Sequence, residues 1–139
     1  MELSKTEAQS SQSLDRPAPI TVLPNGVDLA YFTPQDIPRE PSTIVITGKM
    51  SYHANITAVL YFYHEVFPLV RSVRPDARLV IAGKDPSQSV AQLAHDPAVT
   101  VTGYVHDLRA YLGKATVAVS PVLYGAGCQN KVLEAMSSG

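Results

Sequence analysis

The sequence predicts a doubly wound α/β domain with a parallel sheet, Rossmann-like in plan. Two observations predict it. β-Branched runs at Thr43 to Gly48, Ala77 to Gly83, Val99 to Gly103 and Thr116 to Val122 alternate with segments of helical period. The connections between them are short and carry glycine, which suits parallel strands joined by right-handed crossovers. A third observation concerns coverage: Ile44-Val45-Ile46 is apolar at successive positions, as expected of a strand buried on both faces.

Residues 1 to 19, rich in Ser, Gln, Glu and Pro, lack an apolar period and read as a linker or a frayed helix. Ile20-Thr21-Val22-Leu23 reads as a short β run that stops at the turn residues Pro24-Asn25-Gly26. From Tyr31 to Pro41 three prolines among charged residues predict a connecting segment. Residues 1–40 are therefore expected to form a connection, and residues 41–139 an α/β domain. Within the domain the longest helical pattern spans 54–72, with Pro68 kinking it or ending its first part. A short helix is expected from Ser87, as its cap, to His95, and another over Asp107 to Lys114 with His106 or Asp107 as cap. The last helix is expected from about Cys128 onward.

Composition narrows the function. The chain has 139 residues, enough for one core, and a net charge of −1, which gives no electrostatic case for nucleic acid. A single cysteine, Cys128, excludes an internal disulfide and a cysteine-based zinc site. No stretch approaches the roughly 20 apolar residues of a membrane span, so an intracellular, cytoplasmic domain is expected. No Asp-x-Asp pair or His/carboxylate cluster offers a metal seat.

In a doubly wound sheet the ligand lies beyond the carboxyl ends of the strands. Those ends are Gly48-Lys49, Gly83-Lys84, Gly103-Tyr104 and the segment from Pro121 to Gly127. The turn Gly125-Ala126-Gly127-Cys128 ahead of a helix would aim backbone N–H groups at an anion. On that helix Asn130, Lys131, Glu134 and Ser138 share one face, while Val132, Leu133 and Met136 point elsewhere. Such a face is often only solvated, and Lys49, Lys131 and Tyr104 have equally ordinary surface or half-buried readings.

Three motifs are similar to those of the group 1 nucleotide-sugar glycosyltransferases of the two-domain B type. Val22-Leu23-Pro24-Asn25-Gly26-Val27-Asp28 resembles that family's crossing from acceptor half to donor half, and Ile46-Thr47-Gly48-Lys49-Met50 its first donor-half strand and loop. Gly125-Ala126-Gly127 through Lys131-Val132-Leu133-Glu134-Ala135-Met136 resembles the donor diphosphate loop and its Glu-bearing helix. Leu3-Ser4-Lys5-Thr6-Glu7-Ala8 looks like the segment that ends the first half. Two positions depart from the commonest pattern: Ala126 stands where a sugar-facing Glu is usual, and Ala54 where a second lysine is usual. The form Gly-x-Gly-x-x-x-Lys-x-Leu-Glu-Ala-Met resembles a branch associated with polysaccharide assembly.

The resemblance implies transfer of a sugar from a nucleoside diphosphate sugar to an acceptor hydroxyl, with retention of configuration and without cofactor or obligatory metal. Lys49 and Lys131, with the backbone of Gly125 to Cys128, would neutralise the leaving diphosphate, and Glu134 would accept the ribose hydroxyls. Gly48 would line the donor site, Tyr104 and Val105 would meet the base, Asn130 the phosphate or sugar, and His53 and Asn55 the sugar pocket. The resemblance further implies an acceptor half, for a glycan or lipid-linked acceptor, outside this chain, and a parent protein peripheral to the inner face of the membrane. Residues 1–139 thus resemble an excised donor domain, expected to have negligible transferase activity alone and to self-associate through an open sheet edge. The alternative is a non-catalytic α/β module that binds a nucleotide or phosphate. A dinucleotide site would place its glycines after the first strand, whereas here the two-glycine turn follows the last.

Overall fold

The computed structural model describes residues 21–125 and 129–139. In chain order it contains β1 (Thr43–Thr47), α1 (His53–Tyr61), a π turn (Phe62–Val66), α2 (Phe67–Val73) and β2 (Arg78–Ala82). Then follow α3 (Gln88–Ala91) with a 3-10 turn (Gln92–His95), β3 (Val99–Gly103), α4 (Arg109–Lys114), β4 (Val117–Ala118) and α5 (Asn130–Ser137). The strands form one four-stranded sheet in the order β3-β2-β1-β4, with every pair parallel. The α/β fold expected from the sequence is the fold observed.

Helices cover both faces because β1 is apolar on both. Ile44 and Ile46 join Leu79, Ile81 and Val99 on one side, against Val59, Phe62, Phe67, Val90 and Leu93. Val45 and Ala82 face the other way, against Leu112, Ala115, Phe32 and Ala135. The first layer is the larger, and each of its fully buried aliphatic side chains contributes roughly 1.5–3 kcal/mol. The second is thin and is completed by the connecting segment. Arg109 stacks over the Tyr31 ring at 4.0 Å, and Gly113 leaves room for Ile37, whose Cδ1 would lie 3.0 Å from an added Cβ.

Several expected elements differ. Thr21–Leu23 is not a strand: Leu23 is exposed and no partner strand lies beside it among the described residues. The hydrogen-bonded turn falls later than Pro24-Asn25-Gly26, where Asp28 Oδ1 accepts from the N–H groups of Ala30 at 2.9 Å and Tyr31 at 3.0 Å. β4 is two residues long, not the run from Thr116 to Val122: it pairs with β1 only at Val117 and Ala118, and the chain then reaches Pro121, which has no N–H for a ladder. The helix predicted over 54–72 is interrupted as expected near Pro68, but by a π turn before it. Pro68 has no N–H for the His64 carbonyl and its ring would crowd that carbonyl in regular geometry; the wide turn relieves the conflict.

Caps follow local chemistry. Ser87 caps α3, its Oγ accepting from the Val90 N–H at 3.4 Å. α4 starts at Arg109, later than expected, and Asp107 Oδ1 accepts from the Arg109 N–H at 2.9 Å. α5 runs over Asn130–Ser137, within two residues of the expected start.

Candidate functional site

β1 has β2 on one side and β4 on the other, so the order of strands reverses at β1. α1 leaves β1 toward the larger core layer, whereas α5, which follows β4, packs Ala135 in the smaller one. The chain diverges there, and a crevice opens beyond the strand ends. Glycine shapes its floor. Gly48 and Gly83 have φ of +151° and +159°, and a Cβ on Gly83 would lie 1.7 Å from the Gly48 carbonyl oxygen. The loops after β1 and β2 are therefore interlocked, further held by Met50 N–H donating to the Lys84 carbonyl at 2.9 Å.

Gly48, Lys49, Gly83, Lys84, Tyr104, Val105 and Leu108 line a cleft of about 300 Å³ at these ends. Four of them, Gly48, Lys49, Tyr104 and Val105, are residues singled out in the sequence. Larger concavities, around Tyr63, Arg71 and Asp96 and around Glu40, Arg78 and Pro97, lie away from the carboxyl ends of the strands. Size alone does not mark the site; position in the sheet and convergent cations do. Tyr104 is 73% exposed, so its ring is free to stack on a planar group.

Asn55 joins the two lysines proposed from sequence. Its Nδ2 donates to the Lys49 carbonyl at 3.0 Å and its Oδ1 accepts from Lys131 Nζ at 2.7 Å. Burial lowers the Lys131 pKa and raises that of Glu134, one turn further along α5. The polar face of α5 thus turns inward, while Met136 on the opposite face is 75% exposed. Asn130 does not cap α5; its Oδ1 accepts from Asn25 Nδ2 at 2.9 Å.

His53 is exposed at the start of α1 and hydrogen-bonds through Nδ1 with the Tyr124 hydroxyl, which also lies 3.0 Å from Thr57 Oγ1. Gly125, with φ of +138°, follows directly. Ala126, Gly127 and Cys128 lie outside the described residues, as does the segment from Leu3 to Ala8. Among the described residues no group of three His, Cys, Asp or Glu side chains could hold a metal ion, and no helix is long and apolar enough to cross a membrane.

Residues 41–139 match the family described as glycosyl transferases group 1. The chain belongs to the group 1 glycosyl transferases. Membership supports glycosyltransferase activity and implies a nucleotide-sugar donor and an acceptor. A comparison with curated proteins finds no match.

The glycosyltransferase domain brings together Gly48, Lys49, Asn55 and Lys131, and separately Tyr104 and Val105 with Lys49. It keeps His53 on the Tyr124 side of α1. Lys84, Leu108, Asn25 and Tyr124 were not singled out as site residues. In the sequence Lys84 is marked only as one of the Gly-Lys strand ends, without a role; Tyr124 and Asn25 carry no such signal.

Proposed function

We propose that residues 41–139 form the donor-binding half of a B-type, retaining glycosyltransferase, and that residues 1–40 connect it to an acceptor half. The donor is a nucleoside diphosphate sugar, and the reaction serves polysaccharide or glycolipid assembly. The observation that carries this reading is that Asn55 holds the Lys131 ammonium beside the Gly48-Lys49 backbone at the end of β1. When the bond from sugar to diphosphate breaks, negative charge grows on the leaving oxygens. Lys131 and Lys49 would stabilise it, together with backbone N–H groups near Gly125. Glu134 would accept the ribose hydroxyls, and Tyr104 with Val105 would flank the base.

The retaining outcome and the polysaccharide branch rest on the resemblance of the Gly125 to Met136 segment to that branch. Calorimetric titration of the intact parent protein with UDP, GDP and ADP tests the reading. One nucleotide is expected to bind, and Lys131→Met is expected to weaken it about tenfold or more, as for loss of a charge-assisted contact. Unchanged affinity in that variant would remove the diphosphate assignment.

A further inference from the structure

Asn55 is an unusual partner for a half-buried lysine, since a cation in such a place is ordinarily held by a carboxylate. The orientation of the Asn55 amide follows from its neighbours. Its oxygen faces the Lys131 ammonium at 2.7 Å and its NH2 faces the Lys49 carbonyl at 3.0 Å; the flipped amide would set donor against donor and acceptor against acceptor. The space is fitted to this side chain, because a Cβ on Gly48 would lie 2.9 Å from Asn55 Nδ2. No carboxylate forms a salt bridge with Lys131 among the described residues.

We propose that Asn55 is the positioning residue for Lys131: its neutral carbonyl oxygen fixes the ammonium beside the β1 loop without cancelling its charge. The role rests on the donor-site reading above. A carboxylate would also accept from Lys131, but would pair with it, set an acceptor against the Lys49 carbonyl and repel an incoming diphosphate. An aliphatic side chain would leave the ammonium free to swing to solvent. The amide gives both position and undiminished charge, and its second hydrogen bond anchors that position to the backbone carbonyl of Lys49. Asn55 thus acts through Lys131 and need not touch the sugar.

The test is a double-mutant cycle in the intact parent protein, reading the Kd of the nucleoside diphosphate that binds among UDP, GDP and ADP, with thermal melting as a check on folding. Asn55→Ala is expected to weaken binding about tenfold in the wild-type background and by less than about twofold when Lys131 is already Met. Asn55→Asp keeps the shape and an acceptor for Lys131, and is expected to weaken binding more than Asn55→Ala does. Should Asn55→Ala fail to fold, Asn55→Asp carries the test alone, and affinity equal to wild type would overturn the proposal. An equal loss for Asn55→Ala with and without Lys131 would also overturn it, by showing that Asn55 acts independently. Unchanged affinity in Lys131→Met alone is a different result: it removes the donor-site reading itself and the proposal with it.

Discussion

The two walls of the crevice are built by different means. Below, the loops after β1 and β2 are locked by backbone shape, with Gly83 pressed against the Gly48 carbonyl and with Ile46, Leu79 and Ile81 buried behind them. Opposite, β4 has a two-residue ladder, and its Val117 is 46% exposed. The segment from Tyr124 to α5 is tied across by side chains: Tyr124 to His53, Lys131 to Asn55, Asn130 to Asn25. Steric locking leaves no second arrangement, whereas each such polar tie contributes only about 1 kcal/mol net. The first wall is a fixed template, and the second is held by bonds that can be exchanged for bonds to a ligand.

The contrast breaks most visibly at Gly83. Gly83→Ala places a Cβ into the Gly48 carbonyl, and a loss of more than about 3 kcal/mol, or failure to fold, is expected in thermal and urea melts. A smaller effect compares the strands. Ile81→Ala in β2 should cost about 2–5 kcal/mol, while Val117→Ala in β4 should stay within about 0.5 kcal/mol. Similar losses at both would show that β4 is better covered than its exposure indicates.

The smallest effect has the opposite sign. Burial raises the Glu134 pKa, so the folded state favours the neutral acid. Its contribution to stability is therefore fully present below the unfolded carboxyl pKa and is lost as pH rises through the raised folded value. Glu134→Gln is therefore expected to raise the melting temperature slightly at pH 7, by less than about 1 kcal/mol for a group only partly buried. The gain should vanish below about pH 4, where both carboxyl forms are protonated.

Much of the fold was legible because its signals are local. β1, β2 and β3 were readable from β-branched runs that end on glycine, and the cap at Ser87 from one hydroxyl before a helical stretch. The predicted β4 is longer than the observed one because its residues favour strand wherever they stand, while its length depends on how far the chain stays in register with β1. Thr21–Leu23 misled for the same reason. Within the candidate site, the Gly-Lys ends announced themselves as single residues in series. The Lys131 contact with Asn55 could not, since 76 positions separate the pair and only the crossing of β1 by the fold brings them together. Tyr124 was missed likewise: its partners His53 and Thr57 lie on a helix three strands earlier in the path of the chain.

The π turn at Phe62–Val66 has a rotational meaning. An ideal helix turns about 100° per residue, so one extra residue shifts everything after it by that angle. Here the shift lets Phe62 and Phe67 face the sheet together, their ring centroids 6.4 Å apart, although regular spacing would send one of them aside. The helix is therefore two segments in phase with the sheet rather than one rod in register with itself. His53, Asn55 and Thr57 ride on the first segment, and Arg71, paired with Asp96, anchors the second. The angular setting of these three side chains is thereby uncoupled from the packing that secures the far end.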